Sequence, residues 1–159
     1  MSQRANLYIG RAGQMVVMAE FLIRGWNVAV PEVDVGDDML VLQDETGDLS
    51  RVQVKTASAT KLKKGYSARY SVRLSQLIQP TVPDLTYIFV TRLDSRWKSF
   101  LVIPREALYE QYNTQQIGSL NNAGQILFYF RYLDHTVTCS GQDFSKYLNY
   151  WEPWPIISH

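Results

Sequence analysis

Leu7, Gly10, Gln14, Val17, Phe21 and Leu22 recur at helical spacing, and Gly25 follows as a stop, which predicts a helix over residues 5–24. Gly10 and Gly13 are poor helix formers, so their expected use is to let this helix approach another backbone closely. Residues 26–33 are rich in β-formers up to Pro31 and predict a first strand. Residues 39–42 and 51–56 predict two more strands, joined by the turn-rich run Asp44-Glu-Thr-Gly-Asp48. Further strands are expected at 70–74, 86–92, 99–103, 126–132 and 137–139, with a hairpin around Asp94-Ser95. Residues 105–112 predict a helix after Pro104, and 144–151 a short C-terminal helix with Asp143 as its N-cap. A helix, then strands, then mixed elements implies an α/β fold with a mixed sheet.

The chain has 159 residues, which suits one domain spanning 1–159 with a sizeable core. A single cysteine, Cys139, excludes an intramolecular disulfide and a four-cysteine zinc site. The longest apolar stretch, residues 15–23, is only nine residues and contains Glu20, too short to span a bilayer. The expectation is a soluble protein of a reducing, cytoplasmic compartment, with no membrane partner.

Net charge is only +1, but the charge is segregated. Residues 32–48 hold seven acids and no base, and residues 51–73 hold seven bases and no acid. An acidic block beside a basic one suits a cation held by carboxylates next to a strip that follows a polyanion. Two blocks that neutralise each other on neighbouring strands give the same pattern.

With Thr46-Gly47 as the two central turn residues, Asp38 falls opposite Lys55 and Leu40 opposite Gln53. Opposed residues, and residues two apart, share a face. Asp38, Gln53 and Lys55 then converge on one face, while Met39, Val41, Val52 and Val54 line the other and enter the core. A slip by one residue would part Lys55 from Asp38. The pair fits a metal-binding carboxylate beside an ammonium that stabilises phosphoryl charge, or an ordinary cross-strand ion pair.

Gly10-Arg-Ala-Gly-Gln14, Gly25-Trp26, Pro31-x-x-Asp34-x-Gly36-x-Asp38 and Arg51-Val-Gln53-Val-Lys55-Thr56 resemble, in order and spacing, the PD-(D/E)XK nuclease superfamily. The likeness is to its resolvase-like branch and to small homing endonucleases that use Gln-x-Lys. It implies a restriction-endonuclease-like mixed sheet flanked by helices and a metal-dependent DNA endonuclease using Mg²⁺ or Mn²⁺. Asp38 would bind the metal, Gln53 would occupy the acidic position of the motif, Lys55 would be its lysine, and the Val54 carbonyl would be an extra ligand. The helix glutamate of many relatives falls at Gln14. Glu20 is the other acid on that helix, but an i,i+4 pair with Arg24 is its expected role. Asp34 and Asp37 are alternative second carboxylates, with Gly36 supplying a bend.

Lys61, Lys63, Lys64 and Arg69 are expected to bind DNA phosphates, with Tyr66 able to stack on a base or sugar. His135, His159 and Cys139 show no metal-ligand or nucleophile pattern, and Cys139 is expected in the core. Tyr147, Tyr150, Trp151 and Trp154 are expected to cover the core or to form a subunit contact. Two cuts would favour a homodimer. A catalytically weakened nuclease-fold DNA-binding module and a non-enzymatic interaction protein are the alternative readings.

Overall fold

The computed structural model describes residues 2–159. Helix α1 (Gln3–Ile23) begins at Ser2, whose hydroxyl accepts from the Ala5 N–H at 3.2 Å. It ends in a Schellman arrangement: Trp26 N–H bonds the Phe21 carbonyl and Gly25 N–H that of Leu22, with Gly25 at φ +85°. Its buried side is Gly13, Val17 and Phe21. Leu7 and Leu22, expected on that side, are exposed, because the stripe is centred nearer Gly13 and Val17. Gly13 makes the close approach: a Cβ there would collide with Thr56 Oγ1, whereas nothing lies within 4 Å of one at Gly10.

The strands β1 (Asn27–Ala29), β2 (Met39–Leu42), β3 (Leu49–Ser58), β6 (Leu85–Leu93) and β7 (Arg96–Pro104) form a mixed sheet ordered β1-β2-β3-β6-β7. Only the β3–β6 pair is parallel. The strand expected over 26–33 stops at Ala29, opposite Leu40, before Pro31 removes a donor. Beyond the one sheet expected, a second, antiparallel sheet is ordered β11-β10-β9-β5-β4. Its members are β4 (Thr60–Lys61), β5 (Tyr66–Arg73), β9 (Gln125–Leu133), β10 (Thr136–Cys139) and β11 (Gln142–Asp143), with β8 (Ser119–Leu120) also paired to β9. Two helices, α2 (Leu74–Ile78) and α3 (Arg105–Gln115), complete the regular elements apart from one 3₁₀ turn.

That turn, Ser145–Tyr147, is all that forms of the C-terminal helix expected over 144–151. Leu148 bridges to Leu101 instead, and Asn149 takes a left-handed φ of 51°. Asp143 still caps, accepting from the Ser145 N–H at 2.8 Å. The tail beyond it covers the core as expected: Trp151 and Trp154 meet Phe21 edge-on at ring separations of 5.6 and 5.0 Å.

Side-chain alternation makes the first sheet the middle layer. Val52, Val54, Ile88, Val90 and Val102 pack with Val17, Phe21 and Trp154 on the α1 side. Tyr87, Phe89, Leu101 and Ile103 pack with Tyr70, Phe128 and Phe130 of the second sheet on the other. Cys139 lies in that second core, where burial pushes its thiol up to about 11. Among the described residues, no helix is long and apolar enough to cross a membrane.

Candidate functional site

The β2–β3 hairpin is closed by Gln43 N–H bonding the Asp48 carbonyl at 2.9 Å and Gly47 N–H bonding that of Gln43 at 2.8 Å. The Gln43 side chain also accepts from the Thr46 N–H at 2.6 Å, which widens the turn beyond two residues. The register therefore pairs Leu42 with Leu49, Leu40 with Arg51 and Met39 with Val52, two residues from the pairing predicted. Continued one step, it sets Asp38 opposite Gln53 rather than Lys55, and Leu40 is not opposite Gln53. The face survives, because side chains repeat every two residues. Met39, Val41, Val52 and Val54 are in the core, and Asp38, Gln53 and Lys55 belong to the other face.

Asp38 Oδ2 accepts two bonds of 2.7 Å, from Gln53 Nε2 and from the Val54 N–H. Gln53 Nε2 also lies 3.4 Å from the Val54 carbonyl oxygen. One amide N–H₂ group, that of Gln53, thus sits between the oxygens of Asp38 and Val54, the other two metal ligands that the resemblance implies. Gln53 Oε1 faces Gln76 Nε2 at 3.4 Å, Gln76 also donates to the Gly36 carbonyl, and Tyr87 donates to Gln76 Oε1 at 3.1 Å. Gln76 and Tyr87 were not foreseen. They come from α2 and β6, and no local spacing ties them to Asp38.

Burial raises the pKa of Asp38 above its ordinary value, against the lowering effects of the Val54 N–H and Lys55; Asp34 and Asp37 add to the rise. Burial likewise lowers Lys55, opposed by Asp38 and reinforced by Arg73. Lys55 and Asp38 therefore feel each other, yet the ion pairs among the described residues are Arg24–Glu20, Arg51–Asp37 and Arg105–Asp84. The plain cross-strand ion pair is not formed.

Of the alternative carboxylates, Asp37 is committed to Arg51 at 3.1 Å. Asp34 is exposed, accepts from the Gly36 N–H at 3.0 Å, and acts on the charges of both Asp38 and Lys55. Gly36 makes the bend at φ +109°. Gln14 is half-buried on α1 and its side-chain oxygen accepts from Arg11 at 2.8 Å. Glu20 pairs with Arg24 at 4.0 Å, as expected. Among the described residues, no group of three or more His, Cys, Asp or Glu could hold a metal ion.

The second sheet divides the basic strip. Lys61 pairs with Tyr66, on the side of Ala68 and Tyr70, whereas Arg69 points to the opposite side. Lys63 and Lys64 lie in the exposed turn between β4 and β5. Arg69 instead shares with Lys55 a cleft of about 910 Å³, bounded by Asn6 and Ile9 of α1 and by Ser71 and Tyr129.

No protein-family model and no curated protein matches this chain. Among solved structures, the fold is similar to that of the bacterial homing endonuclease I-Ssp6803I, with a TM-score of 0.57 and 19% identity over 96% of this chain and 91% of that one. The chain therefore has a nuclease-like α/β fold.

Proposed function

We propose that this protein is a metal-dependent DNA endonuclease of the PD-(D/E)XK type, acting through Asp38, Gln53 and Lys55 with Mg²⁺ or Mn²⁺. The observation that carries this reading is the meeting of Asp38 Oδ2, the Val54 carbonyl and the Gln53 amide at one point on the hairpin, beside Lys55. The homing endonuclease likeness supports the activity and DNA as the partner.

The donor set fits a hard cation. An amino group already bridges the Asp38 and Val54 oxygens, so a positive centre suits that position, and both ligands are oxygen. Asp38 and the Val54 carbonyl would hold the ion in the place of the Gln53 amino group, Gln53 would join them only by turning its amide to present Oε1, and Asp34 adds charge nearby. When bound, the ion polarises the phosphoryl oxygen and activates water. Asp38 fixes the geometry through the Val54 N–H. Gln53 is positioned by Gln76, itself held by Tyr87. The Lys55 ammonium stabilises the charge that grows on the phosphoryl oxygens.

A second reading, a DNA-binding module without cleavage, is favoured by one observation: Asp38 is the one carboxylate at the meeting point, with glutamine at positions 14 and 53. Incubation of plasmid and branched DNA with Mg²⁺ or Mn²⁺ separates the two. Cleavage is expected from the wild type and is expected to be lost in Lys55→Ala and Asp38→Ala, with circular dichroism unchanged. By calorimetry, Asp38→Ala should abolish metal binding and Gln53→Glu should tighten it, because hard cations prefer charged oxygen. If neither the wild type nor Gln53→Glu binds metal at millimolar concentration or cuts any DNA offered, the binding-module reading replaces the enzyme.

A further inference from the structure

The cleft beyond Lys55 has a chemistry of its own. Its charged residues, Lys55 and Arg69, are both cationic. The β5–β9 register sets Arg69 directly opposite Tyr129, whose side chain stands 54% exposed on the cleft wall. Asn6, Asn121 and Gln125 add amide groups. Asn121 spends its oxygen on the Ala123 and Gln125 N–H groups, which leaves its amino group to donate elsewhere.

We infer that this cleft holds unpaired nucleotides of the strand being cut, with a base stacked on Tyr129 and its phosphate on Arg69. This rests on the endonuclease reading and specifies its substrate class. Three features favour an unpaired strand over a duplex. An aromatic ring in a cleft wall offers stacking only to a base whose face is free, and in a duplex both faces are covered. Side-chain amides can read the pairing edges of a base only when it has no partner strand. Two cations are few for a duplex, whose binding depends on many phosphate contacts, but suffice for a short single-stranded stretch. Lys55 borders both the cleft and the proposed centre, so a strand lying in the cleft would present its next phosphodiester to Asp38.

The test is fluorescence anisotropy with a labelled oligo-dT and a blunt duplex of equal length, in chelator, so that cleavage plays no part. The wild type is expected to bind the oligo-dT. Tyr129→Ala should weaken oligo-dT binding roughly ten-fold while weakening the duplex far less, and Tyr129→Phe should restore it. Tyr129→Ala should leave the salt dependence unchanged, whereas Arg69→Ala should lower the slope of log affinity against log salt by about 0.7. A wild type that ignores oligo-dT, or a Tyr129→Ala that loses both ligands equally or neither, overturns the inference. Cleavage of duplex without oligo-dT binding would sink this inference alone. Oligo-dT binding without any metal-dependent cleavage would sink the enzyme reading alone.

Discussion

Asp38 and Lys55 are both held against their ionisation preferences, one raised and one lowered, and burial is the largest cause for each. For Asp38, the folded protein keeps its proton to a higher pH than the unfolded chain does. Stability therefore falls as pH rises through that interval and stays lower above it. For Lys55 the sign is opposite: the folded form loses its proton first, and stability rises with pH as the unfolded lysine follows. At neutral pH both charges oppose folding. In chelator at pH 7, Asp38→Asn, which mimics the neutral carboxyl, is expected to melt at the same temperature as the wild type or higher. The difference should vanish below the carboxylate range, where the wild type is neutral too. A melt several degrees lower at pH 7 would show that the two bonds to Oδ2 outweigh desolvation. The shared face of Asp38, Gln53 and Lys55 was legible in the sequence because it depends only on parity. Gln76 and Tyr87 were not, because no local pattern encodes a contact between β3, α2 and β6.

Among the elements, α1 depends on one glycine to seat against β3. Gly13→Ala would drive a methyl into Thr56 Oγ1 and to 2.9 Å from its Cγ2, so either the helix or the strand carrying Gln53 and Lys55 must shift. Overpacking of this kind costs about 1–3 kcal/mol, more than the roughly 1 kcal/mol of helix propensity that alanine returns. Thr56→Ala removes both clashing atoms, so Gly13→Ala/Thr56→Ala should recover most of the loss. Denaturant midpoints of the two single variants and the double variant would measure that coupling, and additive effects would contradict the contact. The bounds of α1, the start of α3 and the longer strands were readable from periodicity, but α2, the two-residue strands and the hairpin partner were not. Two turn residues predict a tight turn, whereas the Gln43 side chain and Gly47 at φ +76° build a wider one. The C-terminal helix failed for a related reason: apolar spacing drew a helix over 144–151, but Leu148 and Trp151 are placed by long-range contacts with Leu101 and Phe21.

Across the whole molecule, the second sheet escaped the sequence because its central pair, β5 and β9, joins segments far apart in the chain. Lys61 stays exposed on the face opposite Arg69, and Lys63 and Lys64 stay exposed in the β4–β5 turn. If they hold duplex phosphates, changing all three to alanine should lower the duplex salt slope by about 0.9 for each phosphate left unneutralised, and an unchanged slope would place duplex binding elsewhere. Strand β6 has a further consequence. It is paired on both edges, with Tyr87 and Phe89 in one core and Ile88 and Val90 in the other, and all four are fully buried. Neither core can open without it. Its amide protons should therefore exchange with deuterium only through global unfolding, while those of the two-residue edge strands β4 and β8 exchange through local opening. A ligand that binds only the native state raises the free energy of global unfolding by RT ln(1 + [L]/Kd), wherever on the surface it sits. The protection of the β6 amides would then report metal, single-stranded DNA and duplex on one common scale, without a label and without a single cut being made.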